Sequence, residues 1–178
     1  MHKIIKALCL FYFFAIYTTQ AQIWVKYENG DISTQFPKKP FDTTMSVGKN
    51  AIILVGVNEV AENYSITGTH MASNENFTKK SANEFYKDML NGIISRAKGT
   101  NIVSKIIESG DGHQAVDASY IFQADGKTYK ANNIFVLTDN DMIYRFMHVF
   151  LAENESKLKQ NNSLFFDSIQ FKKKFELH

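Results

Sequence analysis

The stretch GHQAVDASYIFQADGKTYKANNIFVLTDNDMIYRF, residues 112–146, contains three strand-like runs joined by two short turns. The turns are ADGK (124–127) and TDND (138–141). Their Asp, Asn and Gly residues tolerate the backbone angles that tight hairpin loops require. The three runs therefore predict consecutive antiparallel strands.

The first and last of these runs differ in how their apolar residues are arranged. In AVDASYIFQ (115–123) apolar and polar residues alternate, which predicts a strand buried on one face. In MIYRFMHVFL (142–151) apolar residues occupy both faces, which predicts a strand covered from both sides. The alternating run has Val116, Ala118, Tyr120 and Phe122 on its apolar face and Asp117, Ser119 and Gln123 on the other.

The segment 81–97 changes to a helical period. Its apolar stripe consists of Phe85, Met89, Leu90, Ile93, Ile94 and Ala97. Because residues three and four apart share one side of a helix, this spacing predicts an amphipathic helix. Ser81 and Glu84 fit a capping box at its start, and Gly99 fits a stop at its end.

Strands and helices together predict an α+β fold. Further strand-like segments lie at 23–27, 32–36, 41–47, 51–57, 63–72 and 101–107. A second helix is predicted within 153–171 from the apolar residues Leu158, Phe165, Phe166 and Ile169. The expected architecture is an antiparallel sheet of about six or seven strands flanked by helices, in two or three layers.

The first 21 residues have the pattern of an export signal. Lys3 and Lys6 precede an apolar run of about a dozen residues, and the small residue Ala21 marks the predicted cleavage point. A membrane-spanning helix needs about 20 apolar residues, so we expect cleavage after Ala21 and no transmembrane segment afterwards. Residues 22–178 are predicted to form one domain that is secreted or periplasmic.

The mature chain is predicted to carry no net charge and no cysteine. The sequence has 20 Lys+Arg against 18 Asp+Glu, and Lys3 and Lys6 leave with the signal. Cys9, the only cysteine, leaves with them, which excludes a disulfide and a thiol nucleophile in the mature chain. A neutral balance argues against nucleic-acid binding, which needs a basic surface.

The order of these landmarks resembles the PsbP-like family. WVKYENGDISTQFPKKP (24–40) is similar to that family's first strand, turn and second strand, and the helix 81–97 stands where the family has its first long helix. The run 112–146, with Tyr144 after its last hairpin, and LFFDSIQF (164–171), with its Phe-x-x-Ser ending, complete the resemblance. It implies an α/β/α sandwich and non-enzymatic roles in binding other proteins or stabilising complexes. Gln114 and Ala115 depart from the Pro and Gly that relatives often have there.

The segment SGDGHQAVD (109–117) brackets a histidine with acidic residues, so it is the first candidate for metal binding. If 113–117 is extended, His113 and Asp117 are roughly 13 Å apart at about 3.3 Å per residue. Metal–ligand distances of about 2.0–2.2 Å exclude chelation of one ion by that pair. Asp111 with His113 leaves only two ligands. We therefore predict a glycine turn at Gly110 and Gly112, and no metal site.

Arg145 and His148 lie in the run whose two faces are both apolar. An unpaired buried charge is costly, so we expect Arg145 to pair with an acidic side chain from a helix. We interpret His148 as a core or sheet-edge residue. The sequence has no G-x-S-x-G motif, EF-hand spacing or phosphate loop. It therefore predicts no catalytic residue, no cofactor and no enzyme.

The function predicted from these patterns is that of a secreted or periplasmic, non-enzymatic binding or accessory protein, whose partner is another envelope protein. Aromatic residues make up 13% of the chain, and aromatic side chains are enriched in protein interfaces. Some of the following are expected at the surface: Tyr64, Tyr86, Tyr129 and Phe171.

The predicted interaction surface comprises His113, Asp117, Tyr129 and Arg145. His113 and Asp117 share the more polar face of their strand. The alternative function is that of a carrier for a small apolar, lipid-like ligand, with a pocket between the sheet and the helix 81–97. An envelope hydrolase is the third function considered.

Overall fold

The structure, a computed structural model, describes residues 23–29, 32–47, 50–59, 64–72, 82–108, 114–137 and 142–171. Within these ranges the chain forms ten strands and two α-helices, and neither helix is long and apolar enough to cross a membrane. The strands are β1 (Val25–Asn29), β2 (Ile32–Phe36), β3 (Phe41–Val47), β4 (Asn50–Glu59), β5 (Tyr64–Ala72), β6 (Thr100–Glu108), β7 (Gln114–Ala124), β8 (Lys127–Leu137), β9 (Met142–Leu151) and β10 (Gln170–Phe171). The helices are α1 (Ala82–Ala97) and α2 (Glu155–Asp167).

A seven-stranded antiparallel sheet forms the centre of the fold, in the order β3-β4-β5-β9-β8-β7-β6. The meander predicted from 112–146 is present as β7, β8 and β9. Between β7 and β8, Asp125 and Gly126 have φ of 49° and 71°, the two left-handed positions of a type I′ hairpin turn. The second predicted turn, at 138–141, lies outside the described residues.

One face of this sheet is covered by α2 and by a small sheet of order β1-β2-β10. Phe165 of α2 is fully buried, with its ring centroid 5.6 Å from that of Phe36 and 6.4 Å from that of Phe146. Ser168 accepts a hydrogen bond from the N–H of Gln35 at 2.9 Å, which ties the end of α2 to β2. We call the apolar cluster between these layers the first core.

The opposite face of the sheet is covered by α1, which forms the second core. Phe85, Tyr86, Leu90 and Ile94 of α1 are buried there with Val116, Ala118, Tyr120, Ala131, Phe135 and Ile143 of the sheet. Strand β9 contributes Phe146 to the first core and Ile143 to the second. The prediction that this strand is covered on both faces is therefore confirmed, as is the α+β architecture.

Two aromatic residues that were candidates for the surface instead pack inside. Tyr86 is only 2% exposed, and its Oη accepts a hydrogen bond from the N–H of Leu137 at 2.9 Å. Phe171 is half-buried, 5.3 Å from the ring centroid of Tyr144. Phe171 is placed there because α2 ends at Asp167 and residues 170–171 pair with β2. The second helix is thus shorter than predicted.

The end of α1 is a Schellman motif. The N–H of Gly99 donates to the carbonyl of Ile94 at 2.9 Å, and the N–H of Lys98 donates to that of Ser95 at 3.2 Å. The left-handed residue is Lys98, at φ 50°, rather than the predicted Gly99. The reason for glycine at 99 is space, because a Cβ there would lie 2.9 Å from Cδ2 of Tyr120. Ser81, the predicted cap at the start, lies outside the described residues.

We expect the substitution Gly99→Ala to destabilise the protein by about 1–3 kcal/mol, the usual cost of overpacking a core. The added methyl would press on Tyr120 and on Ile94, whose Cγ2 would be 3.1 Å away. Urea unfolding followed by circular dichroism measures the change.

The matched control for that prediction is Gly92→Ala in the middle of α1. A Cβ at Gly92 meets nothing within 4 Å, so alanine should stabilise the helix by up to about 1 kcal/mol. Equal stability of the two variants would contradict the packing explanation.

Candidate functional site

A groove of about 260 Å³ lies between α1 and β6. Its apolar wall is formed by Leu90 and Ile94 of the helix and by Val116 of β7, all of which belong to the second core. Ile102 and Ile106 of β6 form its outer side. We call this feature the α1–β6 groove. It exists because α1 packs over β7, one strand inside the edge of the sheet.

Strand β6 exposes apolar side chains both toward this groove and on its opposite face. Ile102, Val103 and Ile106 are 51%, 66% and 53% exposed. In the described part of the chain β6 is the last strand of its sheet and pairs only with β7. Edge strands offer unpaired backbone N–H and C=O groups to other chains, and proteins commonly protect them with charges or bulges. Here one bulge lies between Thr100 and Val103, and the strand beyond it is regular.

The sequence of β6 predicts a strand but not its exposure. NIVSKII places apolar residues on both faces, as in Ile102 and Val103, or Ile106 and Ile107. This pattern is typical of a strand buried between two layers. The exposure follows from sheet order, because β6 comes last and α1 covers only part of it. A strand with apolar residues on both faces, but with too few predicted elements to cover it, is the sequence signal that could have identified the exposed edge.

The charged side chains around the groove are basic. Lys87 of α1 lines the groove and forms no ion pair within the described ranges, and Lys105 of β6 borders it. Lys105 pairs with Asp117 of β7 at 3.3 Å, with side chains 67% and 40% exposed. An ion pair this exposed contributes little to stability, so Lys105 can take another acidic partner at small cost. Asn91 and Ser104 are the neutral polar residues of the lining.

Of the predicted interaction residues that the structure describes, Asp117 and Arg145 do not share one surface. Asp117 pairs across the sheet with Ile134, which packs on the first core. Arg145 pairs with Phe135 of the second core, so the two side chains lie on opposite faces. Tyr129 is half-buried and stacks on Phe122 at 5.5 Å. His113 lies outside the described residues, as do Asp111 and the side chain of Tyr64.

Arg145 contacts neutral groups of the sheet. Its Nε and Nη2 donate to Oδ1 of Asn133 at 3.1 and 2.9 Å, and its guanidinium lies 5.5 Å from the ring centroid of Phe135. Burial lowers the pKa of Arg145, and an electrostatic interaction and a hydrogen bond with Tyr120 partly offset this effect. These contacts provide an amide acceptor and an aromatic face. Pairing of Arg145 with an acidic side chain from a helix stays a prediction.

His148 is completely buried against α2. Its Nδ1 donates to Oδ1 of Asn162 at 3.2 Å, and Nδ2 of Asn132 donates to the same oxygen at 2.8 Å. Asn162 belongs to the QNN segment of α2, where polar residues weaken the helical pattern of the sequence. In the structure this asparagine fixes the rotation of α2 against the sheet. Burial lowers the pKa of His148 to about 4.

Within the described ranges, no three His, Cys, Asp or Glu side chains are grouped in a way that could hold a metal ion. Of the features in these ranges, the α1–β6 groove combines concave shape, exposed apolar side chains and unpaired cationic charge. It is therefore the candidate functional site, and its chemistry is that of binding.

No protein-family model and no curated protein sequence matches the chain. Its structure is similar to that of the Ran-binding protein Mog1p of Saccharomyces cerevisiae, with 12% identical residues, a TM-score of 0.51, and 85% of this chain and 96% of that chain covered. Cyanobacterial PsbP from Synechocystis sp. PCC 6803 gives 8% identity, a TM-score of 0.46, and coverage of 86% and 95%. A protein of unknown function from Pseudomonas aeruginosa gives 10% identity and a TM-score of 0.47, with 79% of this chain and 91% of that chain covered. The similarity to Mog1p shows a shared fold, which is the PsbP-like fold that the sequence resemblance implies.

We expect the protein to lose stability as the pH falls from 6.5 toward 4, because His148 stays neutral in the folded chain and becomes protonated in the unfolded one. Its pKa falls from the ordinary 6.5 to about 4 on folding, so the unfolded state binds more protons across this window. Since a shift of one pKa unit corresponds to about 1.4 kcal/mol, the free energy of unfolding should fall by about 2 kcal/mol between pH 7 and pH 5.

Chemical unfolding at pH 7 and pH 5 measures this loss. The substitution His148→Gln removes the titrating group, so the variant should lose about 2 kcal/mol less than the parent over the same interval. Identical pH dependence in the two proteins would show that His148 does not cause the effect.

Proposed function

We propose that this chain is an exported, non-enzymatic binding protein that recognises another protein through the α1–β6 groove and the adjoining edge of β6. The observation that carries the proposal is the row of exposed apolar residues Ile102, Val103 and Ile106 on an edge strand beside a groove. Large exposed apolar patches on soluble domains mark interaction sites.

Burial of the exposed side chains at this edge would contribute favourable free energy to binding. Each of the three side chains has about half or more of its surface exposed. Full burial of an aliphatic side chain is worth about 1.5–3 kcal/mol, so covering the exposed part of each contributes roughly 1 kcal/mol. Backbone hydrogen bonds to the open edge and contacts with Leu90 and Ile94 in the groove would add to this.

The export part of the proposal comes from residues 1–21, which lie outside the described residues. A charged start, an apolar run and the small residue Ala21 support it. The proposed partner is accordingly another envelope protein. The fold comparison is compatible with a binding role, since Mog1p has this fold and is named for binding Ran.

A carrier of small apolar ligands is the second candidate, because the groove lies between the sheet and α1 and has an apolar wall. Its volume of about 260 Å³ is slightly below the range of roughly 300–1,000 Å³ that holds drug-sized ligands. The exposure of Val103, on the face of β6 that points away from α1, has no role in a carrier. Protein binding explains both features.

We expect a photo-activated cross-linking residue at position 106 to capture a discrete protein from envelope extracts of the source cells. Ile106 is exposed beside the groove, so a protein seated there would lie within reach of the probe. The same probe at Lys159, an exposed position on α2, is the matched control. Denaturing electrophoresis and mass spectrometry identify the products.

Equal cross-linking at both positions, or none at position 106, would contradict protein binding at the groove. Saturable binding of a lipophilic dye, lost in Ile106→Lys and retained in Lys159→Glu, would favour the carrier instead. Circular dichroism of each variant verifies that the fold is unchanged.

A further inference from the structure

Within the described ranges β6 has β7 as its only strand neighbour, and the part of β6 after its bulge is a regular strand of six residues. From Val103 to Glu108 its register with β7 is unbroken, running from Ser119 to Gln114. The bulge after Thr100 and the left-handed Asn101, at φ 50°, confine irregularity to the beginning of the strand. Six residues span about 20 Å, which matches the length of an ordinary β-strand. An extended peptide can therefore pair along this stretch.

The two faces of this stretch differ in chemistry. Ile106 lies opposite Val116 of the second core, so Ile106 and Ser104 face the groove. Lys105 lies opposite Asp117, so Lys105 and Val103 occupy the other face. An added strand would place alternate side chains in these two environments. Side chains of the added strand on the groove face would contact apolar residues. A side chain on its other face would lie beside Lys105.

The charges around the groove favour a bound segment that carries negative charge. Lys105 lies on the edge strand, where it forms an exposed ion pair with Asp117 of β7. Lys87 lies on the helix across the groove, and no carboxylate belongs to the groove lining. Opposite charges directly across two strands stabilise their pairing, and like charges weaken it. A second copy of this chain paired with its axis at Lys105 would place two identical lysines opposite each other, so the charge pattern disfavours self-association in that register.

We infer that the partner presents an extended segment of alternating apolar and acidic residues, which adds to the large sheet as a strand next to β6. Its apolar side chains enter the α1–β6 groove, and an acidic side chain pairs with Lys105. The inference rests on the proposed protein-binding function and adds to it the conformation and charge of the bound segment.

The test uses a blocked seven-residue peptide that alternates valine and glutamate, titrated into the isotope-labelled protein and followed by NMR. A peptide that alternates valine and lysine is its charge control. We expect saturable shifts of the β6 amides and about ten-fold tighter binding of the glutamate peptide at low salt. Lys105→Glu should remove or reverse that preference, whereas Lys159→Glu, an equal charge change on α2, should preserve it.

Backbone methylation tests strand addition separately from groove filling. Methyl groups on the alternate amides that face β6 block pairing, whereas methyl groups on the other set point away. We expect the glutamate peptide methylated on the amides that face β6 to lose about ten-fold or more in affinity. The glutamate peptide methylated on the other amides should bind nearly as tightly as the unmethylated peptide. Equal effects of the two methylation patterns would overturn strand addition.

The results also separate this inference from the proposed function. Cross-linking at position 106 without peptide binding up to millimolar concentration, or with equal affinity for the two charge types, overturns the inference and leaves the protein-binding role intact. Failure of both cross-linking and peptide binding overturns both. Peptide-induced or concentration-dependent dimerisation, measured by light scattering, would assign the edge to a second copy and overturn the acidic partner.

Discussion

The fold depends on the burial of β9 from both faces. This strand pairs with β5 on one side and β8 on the other, and its side chains enter both cores. Phe146 and Phe150 point to the α2 layer, and Ile143 points to the α1 layer. A strand that is apolar on both faces is stabilised by burial between two layers. The meander, the small sheet and both helices are arranged around that requirement.

The candidate site follows from how far the covering layers extend. A helix covers only a few strands of a twisted sheet, and α1 packs chiefly over β7. Strand β6 therefore receives cover for part of one face, while Ile102, Val103 and Ile106 stay exposed. The groove is the space between the helix and that uncovered strand. The candidate site and the second core therefore depend on the same helix, because α1 closes that core and also forms one wall of the groove.

Buried polar groups orient the layers that the apolar residues hold together. Asn162 binds both His148 and Asn132, which fixes how α2 sits on the first core. Asn133 accepts two hydrogen bonds from Arg145 beneath the second core. Such contacts are short-range and directional, so they select one arrangement among several that would bury similar apolar area. The sequence pattern does not identify them, because a single asparagine in a helix or strand carries no periodic signal.

Periodicity alone was sufficient to predict the meander, α1, the second helix and the two-sided burial of β9, because spacing along one element determines which side chains share a face. It did not place Tyr86 and Phe171 in the interior, and it did not separate Asp117 from Arg145, because those outcomes depend on which elements become neighbours. The exposure of β6 also depends on which elements become neighbours. Its residues resemble those of a buried strand, and only the order of strands in the sheet puts it at the edge. The sequence by itself determined the elements and their apolar faces, whereas the tertiary structure decided which apolar face stayed uncovered, since burial depends on contacts between distant segments.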